Sequence, residues 1–336
     1  MARYYKLYIY LLAICLVGCQ TERTFFPKGI APANVEIVRF DSALLQIDTT
    51  ATLNAVRTLY ADYPIFMPVF TEDILGIYAA DTLYLAEALP KFLNDTIYGF
   101  KQTNLRVQET FSNIEDIQQP LNKAFGKLQY LYPELEIPTI YFFVSGFNAS
   151  ILFIEQSIAV GIDMYLGSDY EYYNQVVYNY QKQTMRKECI ATDIVSAYLF
   201  KNLPFTSQKN RLLEQMIYRG KIMYLLSLLM EGEPEYEVMG YTQEQWNWCK
   251  QYERNIWQMM LDKKDLFKTE TLVLTSYLND GPFTSEISQD APARLGTWIG
   301  WQIAKSYMQN NPNKSLTDLM AEGDAQKILE ESYYKP

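Results

Sequence analysis

The alternation of apolar and polar positions divides the chain into two helical runs separated by a short stretch of strands. Val35 to Phe40, VEIVRF, sends side chains alternately to two faces, as a strand does. From Asp41 the spacing turns helical. It predicts helices over Thr49 to Tyr63, a short one starting at Thr71, then Asp81 to Leu93 with Asp81 as its cap. Thr96 to Asn113 and Ile114 to Leu131 follow, closed by Pro133 and Pro138. After Pro138 the pattern changes. Thr139 to Ser145, Ser150 to Glu155 and Ser157 to Tyr165 are β-branched and aromatic runs separated by turn residues, and they predict a small antiparallel sheet.

Helical spacing resumes over Tyr170 to Gln183 and over Thr184 to Lys201. Next comes Arg211 to Met230, where Gly220 sits in mid-helix and lets a neighbouring helix come close. Thr242 and Gln245 form a capping box for a helix running to about Asp262. An Asp-, Gly- and Pro-rich loop spans Asn279 to Pro292. Gly296 to Asn310 and Ser315 to Glu331 close the chain as helices, the second capped by Ser315 and Asp318. The expected architecture is mainly α, of the α+β class: a single domain with a small antiparallel sheet near the middle.

The N-terminus carries a different signal. Arg3 and Lys6 precede an apolar run, Leu7 to Val17, too short to remain in a membrane as a span. It ends in Leu16-Val17-Gly18-Cys19, which resembles the bacterial lipobox, whose cysteine is acylated and becomes the new N-terminus. The organisation expected is a signal over 1–18, a lipidated tether over 19–33 and a folded body over 34–336. Acyl chains on Cys19 would anchor the protein to the membrane at about 0.8 kcal/mol per buried CH₂. The residues after Cys19 lack a strongly acidic run, which favours a periplasm-facing location. Cys189 and Cys249 are expected to remain free thiols.

Composition narrows the chemistry. A net charge of −10 argues against a nucleic-acid partner, since phosphate neutralisation needs a basic surface. The 28 tyrosines are expected chiefly to pack half-buried with their hydroxyls reaching water. There is no histidine, so no Ser-His-Asp triad and no His-based zinc site can form. Lys187-Glu188-Cys189-Ile190-Ala191 stands where an H-E-x-x-H helix would stand. No metal and no cofactor are expected.

The remaining candidates are carboxylates and aromatics. Two of Glu188, Asp193, Glu214 and Glu231 facing one cleft about 5–9 Å apart would serve as a glycosidase pair. Asp193, in the apolar part of its helix, needs a partner, with Arg186, Lys187, Arg219 and Lys221 as the choices. Trp298 and Trp301 share a helix face, and Arg294 precedes that helix, placed either for a salt bridge or for an anion. The candidate cleft therefore comprises Glu188, Asp193, Glu214, Tyr218, Lys221, Tyr224, Arg294, Trp298 and Trp301.

Several motifs in the last third go together: Gly220 to Leu225 (GKIMYL), Gly240 to Gln245 (GYTQEQ), Trp248 with Glu253 to Trp257 (ERNIW), Gly296 to Met308 (GTWIGWQIAKSYM) and Ser332 to Pro336 (SYYKP). With the lipobox, DYPIF around Pro64 and the chain length, they resemble the gliding-motility lipoprotein GldB family of the Bacteroidota. That resemblance implies a lipid-anchored envelope protein with no established enzymatic activity. It also implies a distant likeness to zinc-protease-like domains, a zincin-like arrangement in the second half, from which this chain departs at Lys187 and Ala191. The reading that follows is a non-catalytic envelope component with a protein or peptide partner. The alternative is a carboxylate-dependent hydrolase of envelope glycans or peptides. A carbohydrate-binding module is a third reading, requiring an exposed coplanar aromatic row.

Overall fold

Strand β1 (Ile37–Arg39) lies beside β2 (Ile140–Phe143), β2 beside β4 (Ser157–Gly161), and β4 beside β3 (Ile151–Ile154) in the computed structural model. The model describes residues 23–47, 52–78, 81–96 and 99–336, so the signal segment and Cys19 lie outside the described residues. Residues 31–336 form one compact unit.

The sheet is mixed, which corrects the antiparallel expectation. β1 pairs parallel to β2, with Ile37 opposite Ile140, and β2 pairs parallel to β4, with Ile140 opposite Ile158. Only β3 and β4 are antiparallel, joined at Glu155 and Gln156. The reason is the crossover. About a hundred residues separate β1 from β2, and their helices return the chain to the same end of the sheet, as parallel pairing requires.

Those helices are α1 (Phe40–Leu45), α2 (Thr52–Asp62), α3 (Phe66–Val69) running into a π-turn at Phe70–Ile74, α4 (Thr82–Asn94), α5 (Phe100–Thr110) and α6 (Glu115–Leu131). Asp81 caps α4 by accepting from the Tyr84 amide at 2.9 Å, as its sequence position suggests. Alternation along β2 divides its aromatics between two cores. Tyr141 and Phe143 meet the Phe40, Phe66 and Phe70 cluster, with Tyr141 stacked on Phe66 at 5.0 Å. Phe142 points the other way, edge-on to Phe111 at 6.3 Å. Both faces are covered, so β2 reads as a continuous apolar run rather than an alternating one.

The second half is helical. It comprises α7 (Tyr173–Val176), α8 (Ile190–Asn202), α9 (Leu212–Leu229), α10 (Glu235–Met239), α11 (Gln243–Asp262), α12 (Thr271–Leu278), α13 (Leu295–Asn310), α14 (Leu316–Ala321) and α15 (Ala325–Ser332). Three expectations change here. Tyr170 to Gln183 forms only the short α7 and a 3₁₀ turn, Lys182–Thr184. The helix expected from Thr184 begins at Ile190, after a second 3₁₀ turn at Lys187–Cys189. Ser315 to Glu331 is two helices, because Asp324 ends one run and caps the next by accepting from the Gln326 and Lys327 amides. The capping boxes at Thr242/Gln245 and Ser315/Asp318 form as expected.

α9 is the buried axis of this half. Its apolar residues point in all directions, because α6, α8, α12, α13 and α15 surround it. Its closest neighbour is α13. Gly220 of α9 lies against the backbone of Gly300, and Gly300 lies against the carbonyl of Met216. A Cβ at either position would overlap backbone atoms of the opposing helix, so these two glycines set the distance at which α9 and α13 cross.

Candidate functional site

The Lys187–Ala191 stretch does not form one regular helix. Lys187 turns away to the α5–α6 connection, bonding the Asn113 carbonyl at 2.6 Å and Asp116 at 2.8 Å. Glu188 is exposed, 3.9 Å from Arg186, and Ala191 is buried. From Cys189 onward, however, one side of α8 lines a large cleft. Cys189, Thr192, Asp193, Ser196 and Phe200 form that wall of a space of about 740 Å³.

Elements distant in sequence complete it. The strap before α8 is pinned to the end of the sheet by a bridge between Leu166 and Arg186 and by the Gly167 amide donating to the Met185 carbonyl at 3.0 Å. Tyr173 braces the same corner, accepting from the Leu166 amide at 2.9 Å and donating to the Asp163 carbonyl at 2.7 Å. Opposite stand Arg219 of α9, Glu237 of α10, Tyr241, Asp280 and Arg294.

Arg294 precedes α13 in a left-handed backbone conformation, φ 61°, which costs an L-residue about 1–2 kcal/mol. Its side chain is held on several sides. Nε donates to Asp280 at 2.9 Å, Nη2 donates to the Met239 carbonyl, and the guanidinium lies 5.7 Å from the centre of the Tyr241 ring. Gly240 makes room for it. This residue has φ 71° after the short α10, and a Cβ there would sit 3.0 Å from Arg294 Nη2 and 3.2 Å from Thr184.

Asp193 forms no ion pair with any of the cations expected for it, although Arg186 lies near enough to act on its charge. Its Oδ2 accepts from the Tyr165 hydroxyl at 3.0 Å instead. Burial raises its carboxyl to about 6, with the Tyr165 hydrogen bond and Arg294 pulling the other way. The folded state therefore binds a proton more readily than the unfolded state. The stability that proton confers is full below about pH 4 and is lost as pH rises through 6. Asp193→Asn is expected to remove that dependence. At pH 8 the variant should be more stable than the parent by about 1–2 kcal/mol, discounted for partial exposure. Below pH 4 the two should match within about 0.5 kcal/mol. Denaturant midpoints from pH 4 to 8 measure this, and parallel pH profiles would contradict it.

The other candidates are dispersed. Glu214, Tyr218 and Lys221 line a separate, smaller cavity of about 280 Å³. There Glu214 pairs with Arg211. Lys221 donates to the Glu322 carbonyl at 2.8 Å and is lowered to about 8 by burial. Tyr224 is buried in α9, and Glu231 is an exposed partner of Lys127 at 2.7 Å. Trp298 and Trp301 are fully buried and packed on Trp246 at 6.0 and 5.6 Å, so they belong to the core rather than to a cleft. Of the candidate list, only Asp193 and Arg294 face the main cleft.

Arg219 had entered the sequence reading only as a partner for Asp193. Glu237 had not entered it, and Asp280, Tyr165 and Thr297 had entered only as parts of a loop, a strand and a motif, with no site role. Gly240, Tyr241 and Thr297 lie inside recognisable motifs, which were the signal available. Among the described residues no group of three or more His, Cys, Asp or Glu could hold a metal, and no helix is long and apolar enough to cross a membrane. Cys189 and Cys249 are free and buried, and burial pushes the Cys189 thiol up to about 12.

The family model described as gliding motility protein GldB matches residues 27–336. No curated protein and no solved structure matches the chain.

Proposed function

Since the chain belongs to the gliding motility protein GldB family, we propose that it works as a non-catalytic, lipid-anchored binding component of the cell envelope. In this reading the α8 cleft is where a protein or peptide partner docks, and Cys19 carries the anchor on the periplasmic side. The observation that supports it best is the cleft itself. A space of about 740 Å³ opens along α8, walled by amide, hydroxyl and ion-paired side chains.

The hydrolase alternative has less support. Of the four carboxylates considered for an acid–base pair, only Asp193 lines the cleft. The cleft's other acids, Glu237 and Asp280, are each engaged by an arginine. A carbohydrate-binding role has a narrower basis: Tyr178 and Tyr180, stacked at 5.8 Å and 7°, form an exposed pair of parallel rings beside the cleft.

The test is partner capture from envelope fractions by the full-length chain. Filling the cleft with Ser196→Trp should abolish recovery of the specific partner while leaving membrane attachment intact, with Cys19→Ala as the unanchored control. Undiminished capture by Ser196→Trp, or no partner above the control, would remove this reading.

A further inference from the structure

Five charged side chains line the α8 cleft, and two of them form no ion pair among the described residues. Arg186 engages Glu237, and Arg294 engages Asp280, whereas neither Asp193 nor Arg219 has an ion-pair partner among the described residues. Arg219 spends one donor on the Leu278 carbonyl at 2.8 Å, which leaves the rest of its planar fork available. Asp193 spends Oδ2 on Tyr165, which leaves Oδ1. An unmatched, half-buried charge is costly, and here a cation and an anion of that kind face the same space.

A third orphan lies on the Arg294 side. Thr297, in the first turn of α13, is 4% exposed and lines the cleft, and its hydroxyl has no hydrogen-bond partner. An unpaired buried hydroxyl is destabilising, and a ligand acceptor would relieve it. The positive end of α13 adds to the pull on an anion there. Burial, with a smaller contribution from nearby Arg294, lowers the proton affinity of Arg219 despite the opposing charge of Asp280, and an added anion would counter both.

The sign balance selects the ligand. Once the paired groups are set aside, one positive and one negative charge remain. A dianion such as phosphate would bring two charges to one unmatched guanidinium and would also meet Asp193. A zwitterion matches both. Gln181, Gln183, Thr184 and Thr192 on the walls supply amide and hydroxyl groups suited to a peptide backbone. The volume lies within the usual small-ligand range of about 300–1,000 Å³.

We infer that the cleft recognises a short peptide with both ends free, its carboxylate on Arg219 beside Thr297 and its ammonium on Asp193. This assignment rests on the binding role proposed above and specifies its chemistry.

The experiment is equilibrium dialysis of the full-length chain in detergent micelles against a mixed-sequence tetrapeptide pool with free termini. Parallel arms use the C-amidated pool, the N-acetylated pool and inorganic phosphate. Blocking either end should weaken binding by about tenfold or more, the effect of removing one charge-assisted contact. Arg219→Gln should abolish the penalty for amidation but keep that for acetylation, and Asp193→Asn should do the reverse. Circular dichroism of both variants confirms that they fold. Equal binding of blocked and free pools, phosphate outcompeting peptide, or no binding of any pool would overturn the zwitterion assignment. If the pools fail while Ser196→Trp still abolishes partner capture, the binding role stands and only its ligand class is wrong. If capture is also indifferent to Ser196→Trp, the binding role itself fails.

Discussion

Gly300→Ala is expected to lower the unfolding free energy by about 3 kcal/mol, the upper end of the usual overpacking range. A methyl group there would overlap the Met216 carbonyl of α9, and the opposing side of the contact is Gly220, which has no side chain to move aside. Relief requires separating the two helices. That would loosen Trp298 and Trp301, which are 1% and 0% exposed on the same helix as Gly300. Gly323, with nothing within 4 Å of its own Cβ position, is the control, and alanine there should change stability by less than about 1 kcal/mol. Denaturant titrations with an unchanged m-value measure both. A Gly300→Ala loss no larger than that of Gly323→Ala would mean that the helix crossing is not set by these glycines.

Asp163→Ala should cost about 4 kcal/mol, because it orphans several buried donors at once. The Asp163 side chain is fully buried just after β4. Its Oδ1 accepts from the Ser145 amide at 2.8 Å, and its Oδ2 accepts from the Phe147 amide at 2.7 Å and the Ser145 hydroxyl at 3.1 Å. These bonds tie the exit of β2 to the exit of its parallel neighbour, and Tyr173 then braces the Asp163 backbone against the corner that leads to the cleft. Asp163→Asn keeps an acceptor for one amide and cannot serve both oxygens' donors, so about half the loss is expected. An Asn variant as damaging as the Ala variant would point to charge rather than hydrogen bonding as the main contribution.

The family motifs acquire a physical meaning from these contacts. GKIMYL and GTWIGW meet where Gly220 lies against Gly300. ERNIW and SYYKP meet where the Tyr334 hydroxyl donates to Glu253 at 2.9 Å and its ring packs edge-on against Trp257 at 5.3 Å. GYTQEQ holds the turn that seats Arg294. Four of the five recognisable motifs are therefore chiefly packing devices, touching the cleft only through Met223 and Thr297, whereas GYTQEQ borders it with Gly240, Tyr241 and Gln245. This explains why the motifs identify the family and yet point so poorly to a site.

Local rules carried the sequence reading a long way. Helix existence, the caps at Asp81, Thr242 and Ser315, the close approach at Gly220 and the free thiols all follow from interactions within a few residues or from composition. The same rules overextended the helix at Thr184, because 3₁₀ and α turns share nearly the same apolar spacing and differ only in how tightly each turn is wound. They also merged α14 with α15, passing over the Asp324 cap between them.

The cleft was decided by contacts between segments far apart in sequence. Asp193 was recognised as a buried acid needing a partner, and yet the partner is Tyr165, supplied by the turn after β4 rather than by any nearby cation. Arg219 and Asp193 both appeared among the residues considered, but no spacing rule says that they face one space while Glu214 and Lys221 face another. The sheet order has the same origin, since strand segments signal their own extension and not the direction of their partners. What the sequence determined alone was the helical body, its family and the absence of histidine chemistry, because these depend on residue identity and short-range geometry. What only the tertiary structure decided was which charges remain unmatched, because pairing is settled by the packing of α8, α9 and α13 around a common space.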